Sequence, residues 1–231
     1  MTTLALASLV ILVLLKPDPY LVAHRNDSVE TKKKSTKAAL AHIRQNPKAL
    51  FSILSIAFGH VAMVSVMVMT PVHMTHVDVT LSVIGLVISV HVLGMYVFSP
   101  VVGALSDRIG RVRVIQLGFS ILLAAALIAG TARADDAITL GVGLFLLGLG
   151  WSCTLIAGSA YLSESVDIQT RASSQGASDL VMNLSGAAGG ALAGVIIGTL
   201  SYGWLCFISS IPISILAMYS IKVSRASRKA A

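Results

Sequence analysis

The chain has 231 residues, 55% of them hydrophobic and only 12% charged, with a mean hydropathy of +0.85. Soluble domains hold roughly 45–50% apolar and about 25% charged residues, and a folded chain of this size still exposes much of its surface, so the apolar surface must face lipid. The net charge of +7 could suggest a nucleic-acid partner, but the basic residues sit between apolar segments instead of in one patch, which excludes that class.

The first apolar stretch, Thr3 to Leu15, is ended by Lys16-Pro17-Asp18-Pro19. At about 1.5 Å per residue it is too short to span comfortably. A secretory signal is one reading, but a positive n-region and a small-residue cleavage site are lacking. The stretch 1–15 is read as the tail of a transmembrane helix whose beginning is absent from this chain. Residues 16–48 form a polar, basic linker with Lys32-Lys33-Lys34 and Lys37, carrying a short surface helix over 36–46. The lysine run suits anionic lipid, or simply marks topology.

A spanning helix needs about 20 mostly apolar residues. Six segments meet this, near 49–70, 80–102, 114–132, 138–160, 175–199 and 204–221. The connections on one side, with the linker and the 222–231 tail, hold sixteen of the lysines and arginines, and the other side holds Arg133 alone. The positive-inside rule therefore places the linker, the Asp107 loop and the tail in the cytoplasm. Tyr202, Trp204 and Tyr219 suit interfacial belts. Cys153 and Cys206 lie in apolar runs and read as packing residues.

The loop after the second span reads Gly103-Ala104-Leu105-Ser106-Asp107-Arg108-Ile109-Gly110-Arg111-Val112-Arg113. Gly110 permits a turn at positive φ, and Gly103 allows a close helix approach. Asp107 offers a carboxylate to helix N-termini, and Arg108 and Arg111 can pair with acidic groups. This loop resembles the signature loop of the major facilitator superfamily, G-x-L-x-D-R-x-G-R, with Val112 where many members carry a second basic residue. The resemblance implies an all-α membrane protein, a six-helix transmembrane bundle forming the C-terminal half of such a transporter, preceded by a partial helix and a cytoplasmic linker. It further implies transport of a small solute by alternating access, with the loop as a cytoplasmic latch. The partner would be the missing N-terminal half or a second copy in a homodimer; alternatively, the chain is a truncated half with no transport of its own. Glu164 and Asp167 are the in-chain candidates to pair with Arg111.

Ionisable groups at membrane depth are functional-site candidates by default. His60 and His91 fall near the middle of the first two spans, where a transporter of this kind holds its substrate. A histidine near its ordinary pKa of about 6.5 can exchange a proton with the solute pathway; alternatively each is a neutral ring bonded to a neighbouring helix. Gln175, Asp179 and Asn183 form an i, i+4, i+8 stripe. Asp179 suits proton or cation exchange, or equally the bracing of helix ends. Gly186, Gly190, Gly194 and Gly198 form a ladder for close helix packing, and Gly141, Gly143, Gly148 and Gly150 suggest similar contact before Trp151, which is deep enough to line a cavity. A metal site drawn over His73, His76 and Asp78 lacks supporting ligands. No catalytic constellation or cofactor motif is visible, and the chain does not read as an enzyme.

Overall fold

The computed structural model describes residues 43–77 and 79–229, with side chains as far as residue 221. The expected partial helix 1–15, the linker up to residue 42, Asp78 and the last two residues lie outside the described residues; of the surface helix expected over 36–46, the described part is a helical turn at 43–45. Seven helices follow: α1 Pro47–Thr75, α2 Leu81–Tyr96, α3 Ser99–Ile109, α4 Arg111–Thr131, α5 Ala137–Ser165, α6 Ile168–Thr199 and α7 Tyr202–Lys229. Helices α2 and α3 together make one crossing, so six spans are long and apolar enough to cross a membrane. This is the expected six-helix membrane bundle, with no strand among the described residues. Several spans run longer than the apolar segments: α1 continues to Thr75, α5 continues to Ser165, and α6 begins at Ile168. Asn46 accepts from the backbone N–H groups of Lys48 and Ala49 to start α1, and Asp136 accepts from Thr139 N and Oγ1 to start α5. The Thr139 bonds hold the Asp136 carboxyl below the usual carboxylate range.

The second span breaks at Val97–Phe98. Pro100 follows at the start of α3; it lacks an N–H, and its ring excludes the carbonyl of the residue four back, Tyr96. The chain re-forms a helix from Phe98, whose carbonyl accepts from Val102 N at 2.9 Å.

Helix α5 is the centre of the bundle, packed by α1, α2, α3 and α4, while α6 lies on α1 and α7 on α4 and α1. Leu140, Leu144, Leu147, Ala157 and Leu162 of α5 are fully buried. Close approach is arranged by glycine on both partners. A Cβ on Gly148 would stand 2.5 Å from the His91 carbonyl and 2.9 Å from Met95 N, and one on Gly94 would strike the Phe145 carbonyl, so α2 and α5 cross backbone to backbone. Gly118 and Gly150 do the same for α4 and α5, and Gly130 and Gly203 for α4 and α7.

At the end of the bundle opposite Arg111, Thr70 Oγ1 donates to Val66 O at 2.8 Å and so accepts from the Tyr202 hydroxyl, also at 2.8 Å. The His73 ring stacks on Tyr202 at 4.3 Å. Tyr202→Phe keeps the stack and removes the bond. Interhelical hydrogen bonds in membranes average roughly 0.6 kcal/mol, so the variant is expected to unfold only slightly earlier in a detergent thermal melt.

Candidate functional site

Two places in the bundle gather polar groups from several helices. The first is the C-terminal end of α5, at the Arg111 side of the bundle. Gly110 takes φ 97° and ψ 149°, a region that only glycine enters readily. That turn sets Arg111 at the start of α4, where its guanidinium bonds Asp107 and Ser106 of α3 and reaches Glu164 Oε1 of α5 at 2.9 Å. Of the two acids proposed for Arg111, Glu164 makes the pair and Asp167 stands before α6. Asp107 thus holds Arg111 within its own loop and, among the described residues, bonds no backbone N–H of a helix N-terminus. Arg108 is exposed and without an ion pair among the described residues. Gly103 has open space where a Cβ would stand.

Two further helices hold the same end of α5. Asn46 Nδ2 donates to Ser165 O at 2.6 Å, while Gln175 Nε2 of α6 donates to Ser159 O and Ser163 Oγ, both at 2.9 Å. Residues 159–165 are therefore fastened from α1, α4 and α6 at once. A Cβ at position 110 has room but demands a strained backbone costing about 1–3 kcal/mol. Gly110→Ala is thus expected to lower the thermal stability measurably, while Gly103→Ala leaves it unchanged.

The second place lies halfway along the spans. His60, Tyr96 and Trp151 come from the centres of α1, the α2–α3 crossing and α5. The Trp151 indole donates to His60 Nδ1 at 3.0 Å, and its ring meets the Tyr96 ring edge to face at 6.2 Å. Trp151 is buried, His60 half-buried and Tyr96 exposed, so the three descend from the core to the surface of the bundle. An indole nitrogen only donates, hence Nδ1 of His60 is bare and the neutral ring carries its proton on Nε2. His91 has the opposite tautomer. It is fully buried, its Nδ1 donates to Leu144 O at 2.7 Å, and its Nε2 is sealed without a partner. The two histidines are thus not brought together; His91 fastens α2 to α5 at the Gly94–Gly148 crossing.

The α6 stripe divides. Gln175 turns inward to α5, whereas Asp179 and Asn183 are exposed, with Asn183 Nδ2 donating to Asp179 O at 2.7 Å. The glycine ladder divides too. Gly186 meets the His60 ring, but Gly190 and Gly194 make only ordinary contact and Gly198 has open space. The second close approach on α6 is Gly189, against Val61 and Ser65 of α1. Gly186 and Gly189 sit three residues apart on the face toward α1, and a strict four-residue step drifts off that face. In α5, Gly143, Gly148 and Gly150 touch neighbours and Gly141 does not.

Tyr96 and Asn46 went unrecognised in the sequence. Pro100, four residues after Tyr96, was the available signal for the first. Asn46-Pro47, a capping residue before a proline suited to the first helical turn, was the signal for the second. Among the described residues no group of three His, Cys, Asp or Glu side chains is placed to hold a metal.

Comparison with known proteins gives a consistent result. The sequence model of the Major Facilitator Superfamily matches residues 53–230. The chain is 39% identical to the MFS-type transporter YdeG of Bacillus subtilis, over 89% of this chain and 48% of the relative. It is 37% identical to YddS of the same organism, over 85% and 46%. The riboflavin transporter RfnT of Brucella anthropi is 27% identical over 74% of this chain and 44% of its own. The chain spans about half the length of the curated relatives it matches.

Proposed function

Because the chain belongs to the major facilitator superfamily, we propose that its six spans form one wall of a pathway for a small solute, opened alternately to the two sides of the membrane by rocking against a second six-helix bundle. The observation that carries this reading is the meeting of His60, Tyr96 and Trp151 at the middle of three different spans. Polar groups at that depth are costly and mark solute or ion pathways, and broken helices near the midplane commonly build such sites. His60 is the proton-exchanging group of the trio.

The second bundle is an N-terminal six-helix half or another copy of this chain. Support comes from the burial of the spans. Only 17% of the apolar 18-residue stretch of α6 and 28% of that of α2–α3 are buried, against 61% for α1 and α5. Asp179 and Asn183 lie on the bare α6 face, which must meet protein or water instead of lipid. The same bare faces favour a second reading for the half alone, which without a partner moves nothing. With the basic linker, the Asp107 loop and the tail in the cytoplasm, the clasped end of α5 becomes a cytoplasmic latch in which Asp107, Arg108, Gly110 and Arg111 take part.

The test is uptake into proteoliposomes made with the complete gene product under an inward proton gradient. Riboflavin and other planar ring solutes are the first cargo to try, since one relative carries that name and the wall is aromatic. Uptake is expected to rise with the gradient, to fall by about tenfold or more in Trp151→Ala if the wall orients the cargo, and to lose its pH dependence in His60→Ala. PH dependence that survives in His60→Ala, His91→Ala and Asp179→Asn removes the proton proposal. Uptake by a single reconstituted six-helix bundle removes the two-bundle proposal.

A further inference from the structure

The Trp151 indole and an incoming proton compete for one lone pair. Neutral His60 has a single unprotonated nitrogen, Nδ1, and that nitrogen accepts from Trp151 Nε1 at 3.0 Å. A second proton can bind only there, because Nε2 already holds one. Once Nδ1 is protonated it becomes a donor facing the indole N–H, two donors are opposed, and the bond cannot persist. The indole keeps its own proton throughout; the added proton comes from water in the pathway and leaves by the same nitrogen.

We propose that Trp151 is the positioning residue through which the protonation state of His60 reaches the solute wall: His60 neutral fastens the indole of α5 to α1, and His60 charged releases it. This rests on the reading of His60 as the proton-exchanging group.

The surroundings make the release effective. Gly186 of α6 lies against the His60 ring at Cδ2 and Nε2, so the ring backs onto bare helix and cannot withdraw that way. No carboxylate or guanidinium of the described residues stands beside it to mask the charge. On α6 the nearest is Asp179, about two turns from Gly186 and exposed. On α5 it is Glu164, more than three turns from Trp151 and paired with Arg111. On α4 the described acids and bases are confined to Arg111 and Arg113 at its start. On α2, His91 is occupied by Leu144 O and Tyr96 meets Trp151 edge on. On α7, Tyr202 and Cys206 lie toward one end and Tyr219 toward the other. Released, Trp151 keeps its contact with Tyr96, the exposed member of the trio, so the wall changes on the side that faces the pathway.

The chain has two tryptophans, so Trp204→Phe leaves Trp151 as the sole reporter. The measurement is the fluorescence of that variant of the full chain in lipid nanodiscs, titrated between about pH 5 and 8, where a histidine titrates. A charged imidazole beside an indole quenches it whether or not a hydrogen bond joins the two rings, and the expected result is one sigmoidal fall in intensity as pH decreases. The fall should vanish in His60→Gln, whose amide oxygen still accepts the indole bond but takes up no proton in this range. It should persist in His91→Gln. The indole N–H band in ultraviolet resonance Raman spectra should shift from bonded to free across the same transition in the parent and stay bonded in His60→Gln, a change that a merely structural contact does not produce. A flat titration of the parent overturns the proposal, and so does a transition that persists in His60→Gln. Uptake indifferent to a proton gradient beside a positive titration defeats the transport reading while leaving the His60–Trp151 switch in place.

Discussion

Gly148→Val is expected to abolish recovery of folded protein. A Cβ at position 148 would already stand 2.5 Å from a backbone oxygen and 2.9 Å from a backbone nitrogen of α2. Neither can rotate aside as a side chain does, so the two helices must separate. Overpacking of a well-filled core costs about 1–3 kcal/mol and occasionally more, and here separation also stretches the bond from His91 to Leu144 O. Leaving that buried imidazole without its partner adds about 1–3 kcal/mol. Together these come to about 2–6 kcal/mol, which reaches the lower end of the roughly 5–15 kcal/mol that holds an ordinary domain folded. Size-exclusion profiles in mild detergent should show aggregate in place of a single peak. Gly198→Val, with open space around it, should behave as the parent does, although both glycines lie in membrane helices.

Loosening the C-terminal end of α5 should have the next largest effect. Asn46→Ala removes a helix cap, worth about 0.5–2 kcal/mol, together with the bond to Ser165 O. Glu164→Ala frees Arg111 from α5; the acid is half exposed, so this contributes at most about 1 kcal/mol. The two act on adjacent residues, 164 and 165, and a combined loss of about 2 kcal/mol makes local opening roughly 30-fold easier. Amide hydrogen exchange of the double variant should therefore accelerate by that order over residues 159–166 and stay unchanged over 144–151. Equal acceleration in both stretches would mean that the clasp supports the whole bundle and is no local latch.

The spans were legible because lipid imposes a length and an apolarity that short-range sequence reveals. The loop was legible because Gly110 must take a positive φ and Arg111 follows it. Glu164 could be named as a partner for Arg111 because the chain returns to the same side of the membrane after α5. Faces were less legible. His60 and His91 sit at matched depth, but whether a ring points at a neighbouring carbonyl or at an indole depends on helix rotation. The spans are apolar on every face, so periodicity does not fix that rotation. The glycine ladder misled for the same reason: Gly190, Gly194 and Gly198 continue a pattern in sequence while the α1–α6 contact passes through Gly186 and Gly189. Asp179 and Asn183 read as a polar stripe with Gln175, yet of the three Gln175 alone turns to α5 while the other two are exposed on α6. Tyr96 was missed because its place depends on a helix break that only Pro100 announces.

The claim on which the account turns is that Tyr96, His60 and Trp151 border an aqueous pathway inside the membrane. Reaction of Tyr96→Cys with a charged, membrane-impermeant maleimide tests it without knowledge of the cargo, in the complete protein with Cys153 and Cys206 replaced by alanine. Ile211→Cys, at similar depth on the exposed apolar surface of α7, serves as the lipid-facing reference. The account predicts that the cysteine at position 96 is labelled in intact membranes and the one at 211 is not, with bound cargo protecting the first. Equal inertness of both toward the charged reagent, with both reacting only with a permeant one, would place Tyr96 against lipid and contradict it.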